Sequence, residues 1–403
     1  MLFRNLAEIV NVALKISPVV LLSGARQVGK STLAKKICQN YVVLDDVATR
    51  INAIENPIEF VRNIQKPICI DEIQKAPELL EAIKLIVDEN RNNGDFLLTG
   101  SANVLDLKGT KDSLAGRIVE LTLWPLSAKE INEKPLENCI DFLFEDNYKS
   151  TEISSTELAN RIIQGGFPEI IKLDSDLEKR LWFSSYISTY IERDAREIGD
   201  IREINNFFLF MNMIAPRSAT LLNNASLSIQ IGLKSEMIDN FTTILEQIYQ
   251  IKRIRPYFEN IGKRFVKTSK MFMTDTGIMT HLLRIVTAED LFNSMYKGQV
   301  YETFVLTELL KHKEFSNKET NIYHYRTADK KEIDFVIVQG ENIVAIEVKA
   351  SMNVSKSDFK HIMEFQKKSS KNIKGIIFYT GNNILDYSEN GQTLVALPFG
   401  FFF

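Results

Sequence analysis

Pro18-Val19-Val20-Leu21-Leu22-Ser23-Gly24-Ala25-Arg26-Gln27-Val28-Gly29-Lys30-Ser31-Thr32 is the stretch that decides how the chain is read. Val19 to Leu22 is a short apolar run ended by Ser23, and the residues from Thr32 to Ile37 continue as a helical segment. Between them stands the spacing G-x-x-x-x-G-K-[ST], a phosphate-binding loop in the strand-then-helix context it requires. Gly24 and Gly29 let the backbone turn tightly, so that successive N–H groups from Ala25, Arg26, Gln27 and Val28 through to Thr32 face one anion. The helix N-terminus adds its partial positive charge. Lys30 is then expected to reach the β- and γ-phosphates of ATP, and Ser31 to hold Mg²⁺.

Downstream, Ile68-Cys69-Ile70-Asp71-Glu72 is a buried-strand pattern that delivers two carboxylates at its end, where ligands of open α/β sheets collect. Asp71 is the expected water-mediated Mg²⁺ ligand, and Glu72 the general base that polarises the attacking water. Thr99-Gly100-Ser101-Ala102-Asn103 follows the next strand, where Ser101 or Asn103 suits a γ-phosphate sensor; turn formation explains the same small polar residues. Arg117 suits an arginine finger, in cis or toward a neighbouring copy, with a surface salt bridge as the plainer alternative. Strand patterns at Val19 to Ser23, Tyr41 to Asp45, Pro67 to Asp71, Asp95 to Ser101 and Ile118 to Leu123 alternate with helical ones such as Pro77 to Asn90. That alternation predicts a layered α/β domain with a parallel sheet. The order of these pieces resembles the AAA+ family, and the resemblance implies ATP binding and hydrolysis coupled to rearrangement.

From Trp124-Pro125-Leu126-Ser127 onward the composition shifts to amphipathic helices, among them Ser184 to Ile198 and Asn205 to Ile214. The segment from Asn223 to Leu245 reads as helix, turn, helix, followed by strand-like runs Ile248 to Tyr257 and Lys270 to Thr274, the order of a winged helix. Lys252, Arg253, Arg255, Lys263, Arg264, Lys267 and Lys270 stand against the single acid Glu259, interleaved with Tyr257, Phe258 and Phe265. Such a run suits a nucleic-acid backbone, and a solvated charged face is the alternative. Pro125-Leu126-Ser127, Gly165-Gly166-Phe167-Pro168, Glu192-Arg193-Asp194 and Asp275-Thr276-Gly277 are similar to tokens of a large prokaryotic family that fuses a P-loop ATPase to a C-terminal domain of long-unassigned function.

A second constellation lies near the C-terminus. After a helical pattern from Asp290 to Lys313 come strands Ile322 to Arg326, Glu332 to Val338 and Ile343 to Lys349, the last two joined as a hairpin by Gln339-Gly340-Glu341-Asn342. Period-two alternation sets Asp334 on one strand, and Glu347 with Lys349 on the other, toward one side. Asp334 and Glu347 are candidate hard oxygen ligands for Mg²⁺ or Mn²⁺, Lys349 a catalytic cation, and Glu302 on the preceding helix a further ligand. With the helix Lys356 to Lys368 and strand Ile373 to Thr380 that follow, this order resembles the PD-(D/E)xK nuclease fold, although the motif's proline is absent. The resemblance implies a DNA phosphodiesterase or a DNA-binding relative, with Gln366 as an auxiliary polar residue. A hairpin with an exposed charged face is the plainer alternative.

These readings predict three parts: an AAA+-like ATPase over 1–125, a helical and winged-helix region over 126–285, and a restriction-endonuclease-like α/β domain over 286–403. The function expected is an ATPase coupled to a Mg²⁺-dependent, DNA-acting domain; the alternative is an ATP-dependent switch or scaffold that binds DNA or protein without cutting. The 49 basic and 52 acidic residues leave a net charge of −3, so no global field announces nucleic acid. Cys38, Cys69 and Cys139 are few and scattered, which suits a reducing compartment. Arg4, Glu8 and Lys15 interrupt the N-terminal segment, which excludes a signal peptide or membrane span there and makes the cytoplasm the expected location. A homo-oligomer is among the expected partners, and Arg117 acting in trans would require one.

Overall fold

Val19–Ser23 (β1) is buried along its whole length, and both of its edges are occupied. It pairs in parallel with Phe96–Gly100 (β4) on one side and Ile118–Thr122 (β5) on the other. Asn40–Val43 (β2) and Ile68–Asp71 (β3) extend the sheet to the order β2-β3-β4-β1-β5, again in parallel. This computed structural model describes residues 3–101, 114–134, 137–199, 204–258, 268–327, 329–369 and 371–403. Two compact units result: Met1–Leu126 with Phe167–Glu169 and Gln247–Tyr249, and Ser127–Gly166 with Ile170–Glu246 and Gln250–Phe403.

In the first unit, the apolar stripe anticipated in the helix Leu79–Glu89 (Leu79, Leu80, Ile83, Ile86 and Val87) packs into a core with Val19, Leu21, Ile70, Phe96 and Leu98. Matched register puts Ser23 beside both Gly100 and Thr122, so the segments after β1, β3 and β4 emerge at one end of the sheet. Strand order reverses direction around β1, and such a switch point is where open α/β sheets bind ligands. Gly24 follows directly, with φ of +143°, and a Cβ there would lie 2.2 Å from the carbonyl oxygen of Leu123. Glycine is required by that approach, independently of any phosphate.

In the second unit, the helices Asn224–Ile231 and Ser235–Gln247 fall between the first and second strands of a small antiparallel sheet. Its strands are Thr220–Leu221 (β6), Ile251–Ile254 (β7) and Lys270–Met273 (β8), in the order β6-β8-β7. β7 is shorter than its sequence pattern because Tyr257 leaves the strand. Its N–H donates to His324 O at 2.6 Å, and its ring packs edge-on against Tyr323 and Phe365. A larger mixed sheet follows: Asn321–Arg326 (β9), Glu332–Gln339 (β10), Asn342–Lys349 (β11), Asn372–Tyr379 (β12), Leu385–Asp386 (β13) and Leu394–Pro398 (β14), in the order β13-β14-β12-β11-β10-β9.

The helix expected from Asp290 to Lys313 is two, Ala288–Asn293 and Lys297–Lys313, the first opened by a capping box between Thr287 and Asp290. Likewise the segment from Ser184 is not one regular helix: Asp176–Ser185 runs into a wider π turn at Tyr186–Ile191 before Glu192–Gly199. The C-terminal Phe399–Phe402 turn is buried, with Phe402 against Phe304 and Phe378. Among the described residues no helix is long and apolar enough to cross a membrane.

Gly24→Ala is expected to destabilise the first unit by about 2 kcal/mol. Denaturant unfolding followed by hydrogen exchange at β1 checks this, and unchanged protection would show that the Leu123 carbonyl gives way.

Candidate functional site

The loop after β1 closes on itself before the helix Lys30–Ile37 begins. Gln27 at φ 60° and Gly29 at φ 100° supply its left-handed turns. Lys30 is buried, and its Nζ donates to Gly24 O at 2.8 Å and Ala25 O at 2.7 Å, which holds the cation inside the loop. Ser31, one residue into the helix, donates from Oγ to Asp71 Oδ1 at 3.1 Å. Asp71 also accepts from the Tyr41 and Thr99 hydroxyls. Burial, and then the bond to Asp71, pushes the Tyr41 phenol above its ordinary range, so it stays a donor. A hydroxyl and a carboxylate side by side, next to a loop that runs into a helix N-terminus, fit a Mg²⁺–nucleotide complex.

Glu72 takes a left-handed conformation, φ 62°, and its N–H donates to Thr99 Oγ1 at 3.3 Å. Its carboxylate accepts from Gln74 Nε2 and, at 3.4 Å, from Ser101 Oγ; Gln74 also donates to Ser101 Oγ at 2.9 Å. Arg26 Nη1 stands 3.9 Å from Glu72. The structure therefore joins Arg26, Lys30, Ser31, Asp71, Glu72 and Ser101 at one end of the sheet, while Asn103 lies outside the described residues. Tyr41, Thr99 and Gln74 are members that sequence reasoning missed. Only the adjacency of β2, β3 and β4 could have identified the first two.

Arg117 is a correction. It precedes β5, and its carbonyl accepts from Val19 N, at the end of the sheet opposite the loop. Its guanidinium grips Asp88 twice, Nε to Oδ1 at 2.6 Å and Nη2 to Oδ2 at 3.0 Å. That placement excludes an in-cis arginine finger.

In the second unit, Phe335 faces Ile346 across the β10–β11 ladder, and one step on Asp334 comes beside Glu347 and Val348. Asp334 Oδ2 accepts from Val348 N at 2.8 Å. Glu347 Oε2 stands 3.4 Å from Lys349 Nζ, and its Oε1 3.9 Å from His361 Nδ1. Burial, and then the charge of Asp334, pushes the Glu347 carboxyl up to about 7. Asp334, Glu347 and Lys349 do converge.

Glu302 behaves differently from its expected role as a metal ligand. Lys270 Nζ stands 2.5 Å from Glu302 Oε1, 2.8 Å from Glu332 Oε1 and 3.5 Å from Asp334 Oδ1. Burial alone would lower the Lys270 ammonium, but Glu302, Asp334 and Glu332 outweigh it and hold the group charged. Burial, and then repulsion from Asp334, raises the Glu302 carboxyl against the attraction of Lys270. Carboxylate oxygens suit hard divalent cations. Here an ammonium already stands among three of them, so the set as arranged does not fit a resident Mg²⁺ or Mn²⁺.

Within the basic run, Lys270 and Tyr257 are corrected by the same observation, while Arg253 and Arg255 stay exposed. Lys270 is only 2% exposed, Tyr257 is buried, and Arg253 is paired with Glu246 at 2.6 Å. Residues 259–267, with Lys263, Arg264, Phe265 and Lys267, lie outside the described residues. Gln366 is bonded to the backbone, donating to Ile373 O at 2.9 Å and Thr393 O at 3.3 Å, and so fastens its helix to the sheet.

Residues 17–132 match the family described as AAA domain. Together with the loop geometry, that match defines this part of the chain as a P-loop, AAA+-like ATPase domain. Residues 155–289 and 297–400 match two domains of unknown function, DUF8612 and DUF4143. An uncharacterized protein of Mycobacterium tuberculosis is 25% identical over 402 residues, covering 98% of this chain and 83% of its own. One of Methanocaldococcus jannaschii is 24% identical over 408 residues, covering 96% and 86%. A Walker-type ATPase of Pyrococcus abyssi superposes with a TM-score of 0.39 at 15% identity, covering 69% of this chain and 94% of that one.

Glu347 gives the second unit a pH signature. An ordinary glutamate ionises near 4.5, whereas the folded chain holds this proton to about 7. The folded form thus binds the extra proton between those values, and the stabilisation is lost as pH rises through 7. The loss is on the order of 3 kcal/mol. Unfolding midpoints between pH 4.5 and 8 should fall in the native protein and flatten in Glu347→Gln; parallel curves would refute the assignment.

Proposed function

We propose that this chain is an ATP-binding and ATP-hydrolysing switch whose C-terminal, nuclease-like domain engages DNA without cutting it. The observation that carries the first half is Ser31 Oγ bonded to Asp71 at the head of the Gly24–Lys30 loop. In this reading, backbone N–H groups from Ala25 to Thr32 hold the phosphates, and Lys30 turns from the loop carbonyls to the γ-phosphate. Ser31 and Asp71 would hold Mg²⁺, which would supply charge neutralisation at the phosphates. Glu72, kept in place by Gln74 and Ser101, orients and deprotonates the attacking water. In the same reading, Ser101 reports the γ-phosphate to Glu72 through its hydrogen bond to that carboxylate.

Support for the second half is the strand arrangement. β10 carries Asp334 and β11 carries Glu347 and Lys349, in the order of the PD-(D/E)xK fold, preceded by a helix that bears Glu302. DNA follows from that resemblance as the partner. Metal-dependent cleavage is the second reading, favoured by the convergence of Asp334, Glu347 and Lys349 on one side of the hairpin.

Two variants separate binding from hydrolysis in the ATPase domain. Lys30→Ala is expected to weaken Mg·ATP binding by about a hundredfold, roughly 2.7 kcal/mol, in calorimetric titration. Glu72→Gln is expected to keep the affinity while losing hydrolysis by a factor of about 10² to 10⁴. Unchanged affinity in Lys30→Ala would sink the proposal.

A further inference from the structure

Most lysines keep their ammonium in water, and one removed from it needs nearby charge to offset the lost hydration. Lys270 opens β8 and is only 2% exposed. Its charge is met from the helix Lys297–Lys313 by Glu302 at 2.5 Å, and from β10 by Glu332 at 2.8 Å and Asp334 at 3.5 Å. Three carboxylates from two elements thus point at one nitrogen. The remaining charges of the neighbourhood are also assigned: Arg326 lies 3.3 Å from Glu332 Oε2, and Lys349 lies 3.4 Å from Glu347 and 4.0 Å from Asp358. His361 faces Glu347 and bonds Glu332 O at 3.2 Å. Hard oxygen donors gathered from a helix and a strand are the set that a divalent cation takes. The position they surround holds a side chain instead.

We infer that Lys270 is the built-in cation of this carboxylate cluster, standing where a divalent metal would otherwise be bound, so that the C-terminal domain keeps its acidic face assembled without metal. The inference rests on the nuclease-like reading of that domain and is independent of the ATP site. It assigns Lys270 a positioning role: the ammonium fixes Glu302, Glu332 and Asp334 and leaves Asp334 Oδ2 to Val348 N–H. Because β8 belongs to the small sheet and the acids to the helix and larger sheet, Lys270 also ties the two sheets of this unit together.

The test is Mn²⁺ binding to the full, nucleotide-free chain, read by loss of the free-ion electron paramagnetic resonance signal. Wild type and Asp334→Asn are compared with Lys270→Met and with Lys270→Met carrying Asp334→Asn. Asp334 dependence separates this cluster from Ser31 and Asp71. Wild type and Asp334→Asn are expected to bind Mn²⁺ alike, whereas folded Lys270→Met gains a site about tenfold or more tighter that Asp334→Asn removes. One Mn²⁺ bound per wild-type chain and lost in Asp334→Asn would overturn the inference. So would a folded Lys270→Met that gains nothing. Should Lys270→Met fail to fold, the wild-type and Asp334→Asn pair decides alone. Failure of ATP binding would leave each of these outcomes readable, since no nucleotide is present.

Discussion

Parallel pairing of β1 with both β4 and β5 is the constraint from which the ATPase site follows. A central strand of a parallel sheet covered on both faces favours apolar side chains, which Val19 to Leu22 supply ahead of the buried Ser23, and its matched register brings the strand ends level. Level ends place the Gly24 to Lys30 loop beside Asp71 from β3 and Thr99 from β4. Once there, the Asp71 carboxylate accepts hydrogen bonds from the Ser31, Tyr41 and Thr99 hydroxyls. The same pairing forces the chain past Gly24 so closely that no side chain fits.

In the second unit, charge rather than register is the organising problem. Glu302, Glu332, Asp334 and Glu347 are drawn together by the helix and hairpin that bury them, and like charges at such range cannot all persist unaided. Two solutions operate side by side. Lys270 lends a desolvated ammonium to three of the acids, and Glu347 retains its proton to about 7 in spite of Lys349. Breaking one partner of such a buried set leaves the others uncompensated, so these groups are expected to act as a unit.

Where function depends on local spacing, the sequence was readable. The loop glycines, Lys30, Ser31 and the Asp71-Glu72 pair are fixed by residue type and short-range order, and the five parallel strands fall within two residues of their apolar runs. Of the two readings of Arg117 the salt bridge is the one seen, with Asp88, and the signal was present: the residue precedes its strand, and in a parallel sheet that is the end away from the loops. Lys270 was misread. Its neighbours Lys263, Arg264 and Lys267 suggested a solvated basic face, while its partners Glu302 and Glu332 lie 32 and 62 residues onward, beyond any local pattern. Met271-Phe272-Met273, an apolar run directly after it, was the available hint of burial. Tyr257 carried the same ambiguity, an aromatic among cations that packs into a core instead.

The measurement that bears most directly on the whole reading is incubation of purified protein with linear, circular and branched DNA in Mg²⁺ or Mn²⁺, with and without ATP, beside Lys349→Ala. We expect ATP to be hydrolysed while every DNA stays intact, and DNA to be retained in a salt-sensitive manner. Cleavage by the wild type that disappears in Lys349→Ala would contradict this, and would establish a metal-dependent nuclease in spite of the ammonium that Lys270 places among its carboxylates.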